Sequence, residues 1–291
     1  DYFGEGTQKS IDEIGEGDFI LFENIRIYDG EEKNSEHFAR QLASFGEIYV
    51  NEAFSVSHRK HASIVGIPKF LPSYAGILFE EEVLNLSKVF SPEHPFIFIL
   101  GGAKFETKMP LIEKFLNLAD FVFVGGALAN DIFKERGYET GLSAVSPKEF
   151  DLRKITASNK LLLPVDVVVK NDQGVFIKRP NQVLEGDNIL DAGPATISML
   201  SEKMLSSKFV LWNGPLGDYE KGFREGTIEL AKVIAKSGIK SILGGGDTLA
   251  VVSKLNLEKK FSFISTGGGA MLDFLANETL PGIEALERSL S

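Results

Sequence analysis

Five short apolar runs in this chain each end in a glycine-rich turn that opens a predicted helix. Apolar runs followed by helical stretches are typical of parallel strands joined by crossover helices. The glycines would then lie at the carboxyl ends of the strands, where open α/β sheets bind ligands. Because N–H groups at helix N-termini attract anions, five such turns predict a surface for a polyphosphate. The runs, each with its turn, are residues 96–100 with Gly101-Gly102, 121–124 with Gly125-Gly126, 209–212 with Asn213-Gly214-Pro215, 241–243 with Gly244-Gly245-Gly246, and 261–265 with Gly267-Gly268-Gly269.

The first part of the chain carries fewer elements. Its pattern predicts strands at residues 19–22 and 48–50 and a helix at residues 35–45. Breaks at residues 66–68 and 71–72 separate this part from a second helix, which apolar spacing predicts over residues 74–90. Three consecutive glutamates, residues 80–82, interrupt the apolar face of that helix. We therefore expect either an ordinary surface helix or a rigid connector between two domains.

Composition narrows the classes of protein that this chain can belong to. With 291 residues, 43% of them hydrophobic and 25% charged, it is long enough for one large domain or two. It has no apolar run of membrane-spanning length and no signal peptide at its start, so we expect no membrane partner. The absence of Cys excludes disulfides and thiolate metal sites and fits a cytoplasmic location. A net charge of -10 argues against a nucleic-acid surface.

Two of the glycine turns are followed by side chains suited to phosphate. Lys104 and Lys108 lie four residues apart and would share one face of a helix. Asp247 and Thr248 would lie at the start of another helix. Solvated lysines and an N-cap aspartate are the ordinary structural explanations. Asp247 is also suited to hold Mg²⁺, which prefers carboxylates together with substrate phosphates.

Missing motifs exclude several mechanisms. The chain has no G-x-x-x-x-G-K-[ST] loop, no H-R-D or D-F-G of protein kinases, no G-x-S-x-G elbow and no H-E-x-x-H. No G-x-G-x-x-G follows a first strand, which weakens a dehydrogenase interpretation. A phosphoryl transferase needs no strong base when its acceptor is an ionised carboxylate, because positioning and charge neutralisation do most of the work. The pattern therefore favours a kinase that acts on an acid.

Two arginines in the first part are candidates for binding that acid. Arg26 follows the predicted strand at residues 19–22, and Arg59 lies in the cationic segment formed by residues 58–61. Arg pairs with phosphate or carboxylate in a bidentate manner. A single Arg after a strand is more often a surface residue. The neighbouring cations favour Arg59, because clustered positive charge in an acidic protein needs an anion nearby.

Seven stretches of this chain resemble the phosphoglycerate kinase family. The matching stretches are FENIR, NEAFSVSHRKHAS, GGAKFETK, WNGPLGDYE, GGGDTLA, ISTGGGA and LPG, in the family's order and over essentially the whole chain. The resemblance implies an α/β fold with two Rossmann-like parallel-sheet domains joined by a helix. It also implies reversible phosphoryl transfer in glycolysis between 1,3-bisphosphoglycerate and MgADP, giving 3-phosphoglycerate and MgATP. Nucleotide and acid would be the partners of a monomer, with Mg²⁺ as the cofactor.

The resemblance divides the chain and assigns roles by motif. Residues 1–72 would be a partial domain for 3-phosphoglycerate, residues 73–90 the interdomain helix, residues 91–275 the nucleotide-binding domain, and residues 276–291 a segment returning to the first domain. The implied catalytic residues are Lys104, Gly246 and Gly268. Arg26 and Arg59 would bind the acid, and Asp247 the metal. The implied nucleotide-binding residues are Gly102, Lys108, Gly126, Asn213, Pro215, Glu220, Gly245, Gly246, Asp247 and Thr248.

The chain departs from the family pattern in three places. Glu52 stands where the family usually has Asp, Ser55 where it has Gly, and residues 277–279 precede LPG in place of Gly-Lys. The family's N-terminal segment, with an Asp-x-Asn loop, a catalytic Arg and a Ser-His-Leu-Gly-Arg-Pro stretch, is missing. We expect an incomplete first domain with exposed apolar edges and an impaired turnover. The alternatives are a non-catalytic nucleotide-binding module and a dinucleotide oxidoreductase.

Overall fold

The computed structural model describes residues 3–148 and 150–289 and divides into two compact units. The first unit contains the chain up to Val83 together with the segment that begins at Asn277. The second unit is Leu84–Ala276. The division between Val83 and Leu84 falls inside a helix, so one continuous helix belongs to both units.

The first unit combines short helices with a small parallel sheet. Ser35 caps the helix Glu36–Ala43, because its hydroxyl accepts a hydrogen bond from the Phe38 N–H at 3.4 Å. Phe38 and Ala39 of that helix are buried against Ala62. The elements in chain order are α1 (Glu5–Asp12), α2 (Asp29–Glu32), α3 (Glu36–Ala43), β1 (Tyr49–Asn51), β2 (Ser73–Ala75) and α4 (Ile77–Ser87).

The strand predicted at residues 19–22 is wrong. Residues 18–24 have no regular secondary structure, and Phe19 and Leu21 are 86% and 90% exposed. Among the described residues, β1 and β2 form a sheet of two strands that pair only with each other. A strand needs a neighbour for its N–H and C=O groups, and no described strand lies beside this segment. The apolar pattern alone therefore could not produce a strand.

The helix predicted over residues 74–90 begins later than expected. Tyr74 belongs to β2 and pairs with Val50 of β1. The carboxylate of Glu52 then accepts hydrogen bonds from the N–H groups of Leu78 at 2.9 Å and Phe79 at 3.1 Å. These bonds satisfy donors in the first turn of α4. The family departure at Glu52 thus has a structural role at the start of this helix.

The second unit contains a six-stranded parallel sheet. Its elements are β3 (Phe96–Leu100), α5 (Phe105–Leu118), β4 (Phe121–Val124), α6 (Ala127–Glu135), α7 (Arg153–Thr156), β5 (Leu161–Leu162), β6 (Val167–Asn171), β7 (Gly174–Lys178), β8 (Asn188–Ala192), α8 (Pro194–Leu205), β9 (Phe209–Asn213), α9 (Glu225–Ser237), β10 (Lys240–Gly244), α10 (Gly246–Lys254), β11 (Phe263–Ile264) and α11 (Gly269–Asn277). The strand order is β11–β10–β9–β3–β4–β5, with every neighbouring pair parallel. The prediction of parallel strands from the five apolar runs is confirmed.

Both faces of this sheet are buried. Every residue of β3 and β9 is buried, as expected for central strands covered by helices on each side. Trp212 packs on one face with Leu200 of α8 and Leu230 of α9. On β3, Phe98 stacks against Phe115 of α5 with ring centroids 4.2 Å apart. The apolar runs therefore supply the core as well as the strands.

The second unit also contains a sheet of three antiparallel strands in the order β7–β6–β8, which was not predicted from the sequence. Asn171 pairs with Gly174 at the turn of its hairpin. At the end of β7, Lys178 forms an ion pair with the buried Asp187, with Nζ and Oδ2 2.6 Å apart. Three consecutive β-branched residues at 167–169 and a polar turn at 171–174 were the sequence signals for this hairpin.

The last helix, α12 (Pro281–Ser289), belongs to the first unit. The Gly282 N–H donates to the carbonyl oxygen of Ser57 at 2.9 Å. A Cβ on Gly282 would lie 2.7 Å from the Cβ of Ser57, so glycine permits this close approach. Within the described part of the chain, no helix has the length and apolar character that a membrane span requires.

Candidate functional site

The glycine turns at the carboxyl ends of the parallel strands pack directly on one another. A Cβ on Gly101, after β3, would lie 2.2 Å from the carbonyl oxygen of Pro215, after β9. A Cβ on Gly245, after β10, would lie 3.1 Å from the backbone nitrogen of Gly214. The Gly102 N–H donates to the Pro215 carbonyl oxygen at 2.8 Å. Since side chains do not fit between these turns, this edge of the sheet presents mainly backbone groups.

A cavity of about 410 Å³ opens at this edge. Its volume is in the range of small-molecule sites. Five of the residues predicted to bind nucleotide line it, namely Gly102, Gly126, Pro215, Glu220 and Asp247. The other predicted residues of the second unit are not among its lining residues: Lys104, Lys108, Asn213, Gly245, Gly246, Thr248 and Gly268.

Lys104 and Lys108 lie at the N-terminus of α5. Lys104 is the N-cap residue and adopts a left-handed backbone conformation with φ 63°, which is uncommon outside glycine. The Lys108 Nζ donates to the carbonyl oxygen of Ala103 at 2.8 Å. A Cβ on Gly102 would lie 3.2 Å from this ammonium. The Lys108 ammonium is therefore next to two residues that line the cavity, Gly102 and Ala103.

The electrostatics of this pair favour an anion. Burial lowers the pKa of Lys108, and the positive charge of Lys104 lowers it further. Both effects mean that the charged ammonium is held in an unfavourable environment in the free protein. A bound anion would offset the repulsion between the two lysines. The pair is therefore suited to neutralise phosphate charge.

Asn213 supports the wall of the site. It is 4% exposed, and its carbonyl oxygen accepts a hydrogen bond from the Gly101 N–H at 2.8 Å. Its side-chain amide lies 3.6 Å from the sulfur of Met271 on α11. A Cβ on Gly244 would lie 2.0 Å from that same sulfur. Asn213 thus ties together the turns after β3, β9 and β10.

Helix α10 presents a free N-terminus at the same edge. Its N-cap residue, Gly245, has φ 96° and provides no side chain to accept a hydrogen bond from the first turn. The Thr248 hydroxyl is buried and has no hydrogen-bond partner among the described residues. Gly268, with φ 54°, precedes α11. Uncapped N–H donors at a helix N-terminus are suited to phosphate.

Asp247 provides an exposed carboxylate in the first turn of α10. The described residues contain no group of three or more His, Cys, Asp or Glu side chains that could hold a metal ion. A single carboxylate is nevertheless sufficient for Mg²⁺ that is bound partly by substrate phosphates. The residues present therefore fit a metal ion that binds together with a nucleotide.

Glu220 is exposed and lies in the turn between β9 and α9. Two hydrogen bonds donated by backbone N–H groups fix the start of this turn. The Leu216 N–H donates to the Thr227 hydroxyl at 2.9 Å, and the Asp218 N–H donates to the Leu190 carbonyl oxygen at 2.8 Å. A carboxylate at the rim of the cavity is suited to accept hydrogen bonds from sugar hydroxyls.

Several lining residues were missed by sequence reasoning. Asn130 and Phe133 of α6 line the cavity, and their spacing places them one helical turn apart. The Asn130 amide donates to the Ala144 carbonyl oxygen at 2.9 Å, while its Oδ1 is buried without a hydrogen-bond partner in the described structure. Leu142 and Leu190 come from the region of the antiparallel sheet. No local motif marks these last positions, because only the fold brings them to the cavity.

Arg26 and Arg59 belong to the first unit. Arg26 lies in a 3₁₀ turn, Ile25–Ile27, whose start is capped by Asn24, since Asn24 Oδ1 accepts from the Arg26 N–H at 3.0 Å. Arg59 follows the 3₁₀ turn Phe54–Val56. Both arginines are exposed, and neither forms an ion pair with another residue that the structure describes. Both guanidinium groups are therefore open to an acidic ligand.

The second unit belongs to the class of open α/β folds, which bind ligands at the carboxyl edge of a parallel sheet. Its cavity lies at that edge. The family model for phosphoglycerate kinase matches residues 1–278. The chain is 42% identical to a phosphoglycerate kinase of Wolbachia sp. subsp. Drosophila simulans, over 100% of this chain and 77% of that protein. It is also 42% identical to a phosphoglycerate kinase of Dictyoglomus turgidum, over 99% of this chain and 76% of that protein.

Solved structures give the same result. The phosphoglycerate kinase from Coxiella burnetii matches with a TM-score of 0.83 and 36% identity, over 94% of this chain and 73% of that one. The enzyme from Pyrococcus horikoshii OT3 matches with a TM-score of 0.86 and 30% identity, over 100% of this chain and 78% of that one. The chain belongs to the phosphoglycerate kinase family. It is a kinase, a phosphotransferase of glycolysis.

Proposed function

We propose that this protein transfers a phosphoryl group reversibly between 1,3-bisphosphoglycerate and MgADP, giving 3-phosphoglycerate and MgATP. The observation that carries the proposal is the packing of the glycine turns after β3, β9 and β10 around a cavity that Glu220 and Asp247 also line. Backbone donors and cations stand at this edge, and no P-loop or kinase catalytic loop is present in the sequence. This arrangement suits phosphoryl transfer by positioning and charge neutralisation.

The nucleotide would occupy the cavity with its base toward the apolar side chains. Phe133, Leu142 and Leu190 supply that apolar wall. Glu220 would accept hydrogen bonds from the ribose hydroxyls. Gly102, Gly126 and Gly245 would bring backbone close to the nucleotide, since a Cβ at each of them would meet a neighbouring group within 3.2 Å. Asn213 and Pro215, whose carbonyl oxygens accept hydrogen bonds from the turn after β3, would hold that backbone in place.

The phosphates would lie against α5 and α10. Lys108 would hold nucleotide phosphate, and Lys104 would stabilise the phosphoryl group in transit. The N–H groups near Gly246 and Gly268 would donate to the same group. Asp247 would hold Mg²⁺, which supplies positive charge next to the phosphates, and the buried Thr248 hydroxyl offers a further hydrogen bond. The acceptor carboxylate is already ionised at neutral pH, so no general base is required.

The acid would bind to the first unit. Arg26 and Arg59 would hold its phosphate and carboxylate groups through charge-assisted hydrogen bonds. Their exposure and lack of an ionic partner within the described residues support this role. For this 291-residue chain we propose weak turnover with intact nucleotide binding. The exposed Phe19 and Leu21, and a sheet that has two strands among the described residues, support a weakened first unit.

The test measures binding and turnover separately. We expect MgADP to raise the melting temperature, ADP without Mg²⁺ to raise it less, and NADH to leave it unchanged. Asp247→Asn should remove the part that depends on Mg²⁺. Asp172→Asn, which changes an exposed carboxylate in the β6–β7 turn, is the matched control and should behave as the wild type.

A coupled assay with ATP and 3-phosphoglycerate then decides between enzyme and binding module. Detectable turnover that Lys104→Met abolishes supports the kinase. Binding of MgADP with no turnover, in this chain and in one carrying the family's N-terminal segment, would leave only the non-catalytic module. Stabilisation by NADH in place of MgADP would favour an oxidoreductase. The cytoplasmic location and the monomeric state stay predictions, which cell fractionation and light scattering check.

A further inference from the structure

Asp191, near the end of β8, is a buried carboxylate to which the proposed nucleotide binding and phosphoryl transfer assign no role. Its side chain lies in the wall of the cavity and the residue is 4% exposed. Its Oδ1 accepts a hydrogen bond from the Ala192 N–H at 2.8 Å, and its Oδ2 accepts one from the Gly226 N–H at 3.0 Å. Gly226 is the second residue of α9, so this carboxylate holds the N-terminus of that helix.

The segment between β9 and α9 packs on the same carboxylate. A Cβ on Gly217 would lie 2.5 Å from the Asp191 Oδ1, and one on Gly226 would lie 2.6 Å from it. Both glycines are therefore in direct contact with the carboxylate. The neighbouring Leu216 N–H donates to Thr227 on α9, which is 0% exposed. Asp191 and Thr227 thus hold the two ends of the segment that carries Glu220.

A comparison with Asp187 shows that Asp191 is an unusual buried carboxylate. Asp187, at 1% exposure, is paired with the ammonium of Lys178. Asp191 forms no ion pair with any residue that the structure describes, and the charged group that acts on it is Glu225, of the same sign. Burial raises its pKa to about 6. A buried carboxylate without a cation is costly. Its two oxygens nevertheless accept hydrogen bonds from backbone N–H groups, that of Ala192 on β8 and those of Glu225 and Gly226 at the start of α9.

We propose that Asp191 is a positioning residue that fixes the β9–α9 segment, residues 214–224, so that Glu220 faces the ribose of the nucleotide. The inference rests on the proposed nucleotide site. Loss of the second acceptor oxygen would release the N-terminus of α9 from β8 and let the segment move. The effect should fall on the nucleoside part of the ligand, because Lys104 and Lys108 lie on a different helix, α5.

The test compares Asp191→Asn with Asp187→Asn. The amide at position 191 keeps one acceptor and turns a donor toward the other N–H group. We expect the Kd for MgADP to rise about tenfold, the equivalent of one hydrogen bond, while the Kd for magnesium pyrophosphate changes less than about twofold. The melting temperature of the free protein should stay within a few degrees, since the amide also removes a buried charge. Asp187→Asn should lower the melting temperature and leave the ratio of the two Kd values unchanged.

A second pair of variants keeps the test valid if Asp191→Asn does not fold. Thr227→Val removes the acceptor for the Leu216 N–H and should raise the Kd for MgADP selectively, whereas Thr227→Ser keeps the hydroxyl and should restore it. An equal loss of MgADP and pyrophosphate binding, or no change in either, would overturn the inference. Failure of the wild type to bind MgADP would instead refute the proposed function on which it rests.

Discussion

Replacing Gly101 by Ala tests how closely the glycine turns pack. The new Cβ would lie 2.2 Å from the Pro215 carbonyl oxygen, 2.7 Å from the Gly214 carbonyl oxygen and 2.8 Å from the Pro215 carbonyl carbon. All three are backbone atoms, and all three distances are well below the roughly 3.5 Å of optimal van der Waals contact. No side-chain rotation can relieve this clash, so the turn after β9 must move away from the turn after β3.

The magnitude follows from two costs. Overpacking against a rigid backbone costs roughly 1–3 kcal/mol. The movement also breaks the hydrogen bond from the Gly102 N–H to Pro215, now 2.8 Å long, which adds about 1 kcal/mol. We therefore expect Gly101→Ala to lower the free energy of unfolding of the second unit by roughly 2–4 kcal/mol. For a unit of this size the melting temperature should fall by roughly 5–15 °C.

Urea unfolding followed by tryptophan fluorescence measures this loss. Trp212, the single Trp of the sequence, lies in the core of the second unit, so its emission reports that unit separately from the first. Gly246→Ala is the matched control, because its Cβ would meet no atom within 4 Å and the residue lies in α10. We expect the control to shift the stability by no more than about 0.5 kcal/mol. Equal midpoints for the two variants would refute the described packing of the turns.

Two further predictions concern buried charges. Because burial raises the pKa of Asp191 to about 6 from a usual 3.8, its contribution to stability is present below pH 3.8 and is lost as the pH rises through about 6. Lowering the pH from 7.5 to 5 should therefore stabilise the wild type by about 1 kcal/mol more than Asp191→Asn in urea unfolding, and an equal gain would contradict the assignment. Lys108→Met should not destabilise the free protein, since burial and Lys104 disfavour the ammonium. It should weaken MgADP binding at least about tenfold in calorimetry. The exposed Lys236→Met should change neither property, and unaltered binding in Lys108→Met would remove Lys108 from the site.

The family of this chain could be recognised from short motifs, because each motif combines glycines with side chains suited to phosphate or Mg²⁺. GGAKFETK joins two glycines to two lysines, and GGGDTLA joins three glycines to a carboxylate and a hydroxyl. The structure places all five glycine turns after strands of one parallel sheet, and it shows the turns after β3, β9 and β10 in contact. Local sequence predicts such turns well, because glycine is the residue that most readily adopts a left-handed or crowded backbone position.

The sequence alone determined the parallel strands, their order along the chain, the glycine turns and the cations beside them, because each depends on residues that are neighbours in sequence. The tertiary structure decided what depends on distant partners. Residues 19–22 have a strand pattern but no neighbouring strand, so they remain irregular. The apolar wall at Phe133, Leu142 and Leu190 arises only when α6 and β8 reach the same cavity. Asp191 acquires the Gly226 N–H as a donor only because β8 and the N-terminus of α9, 35 residues apart in sequence, meet in the fold.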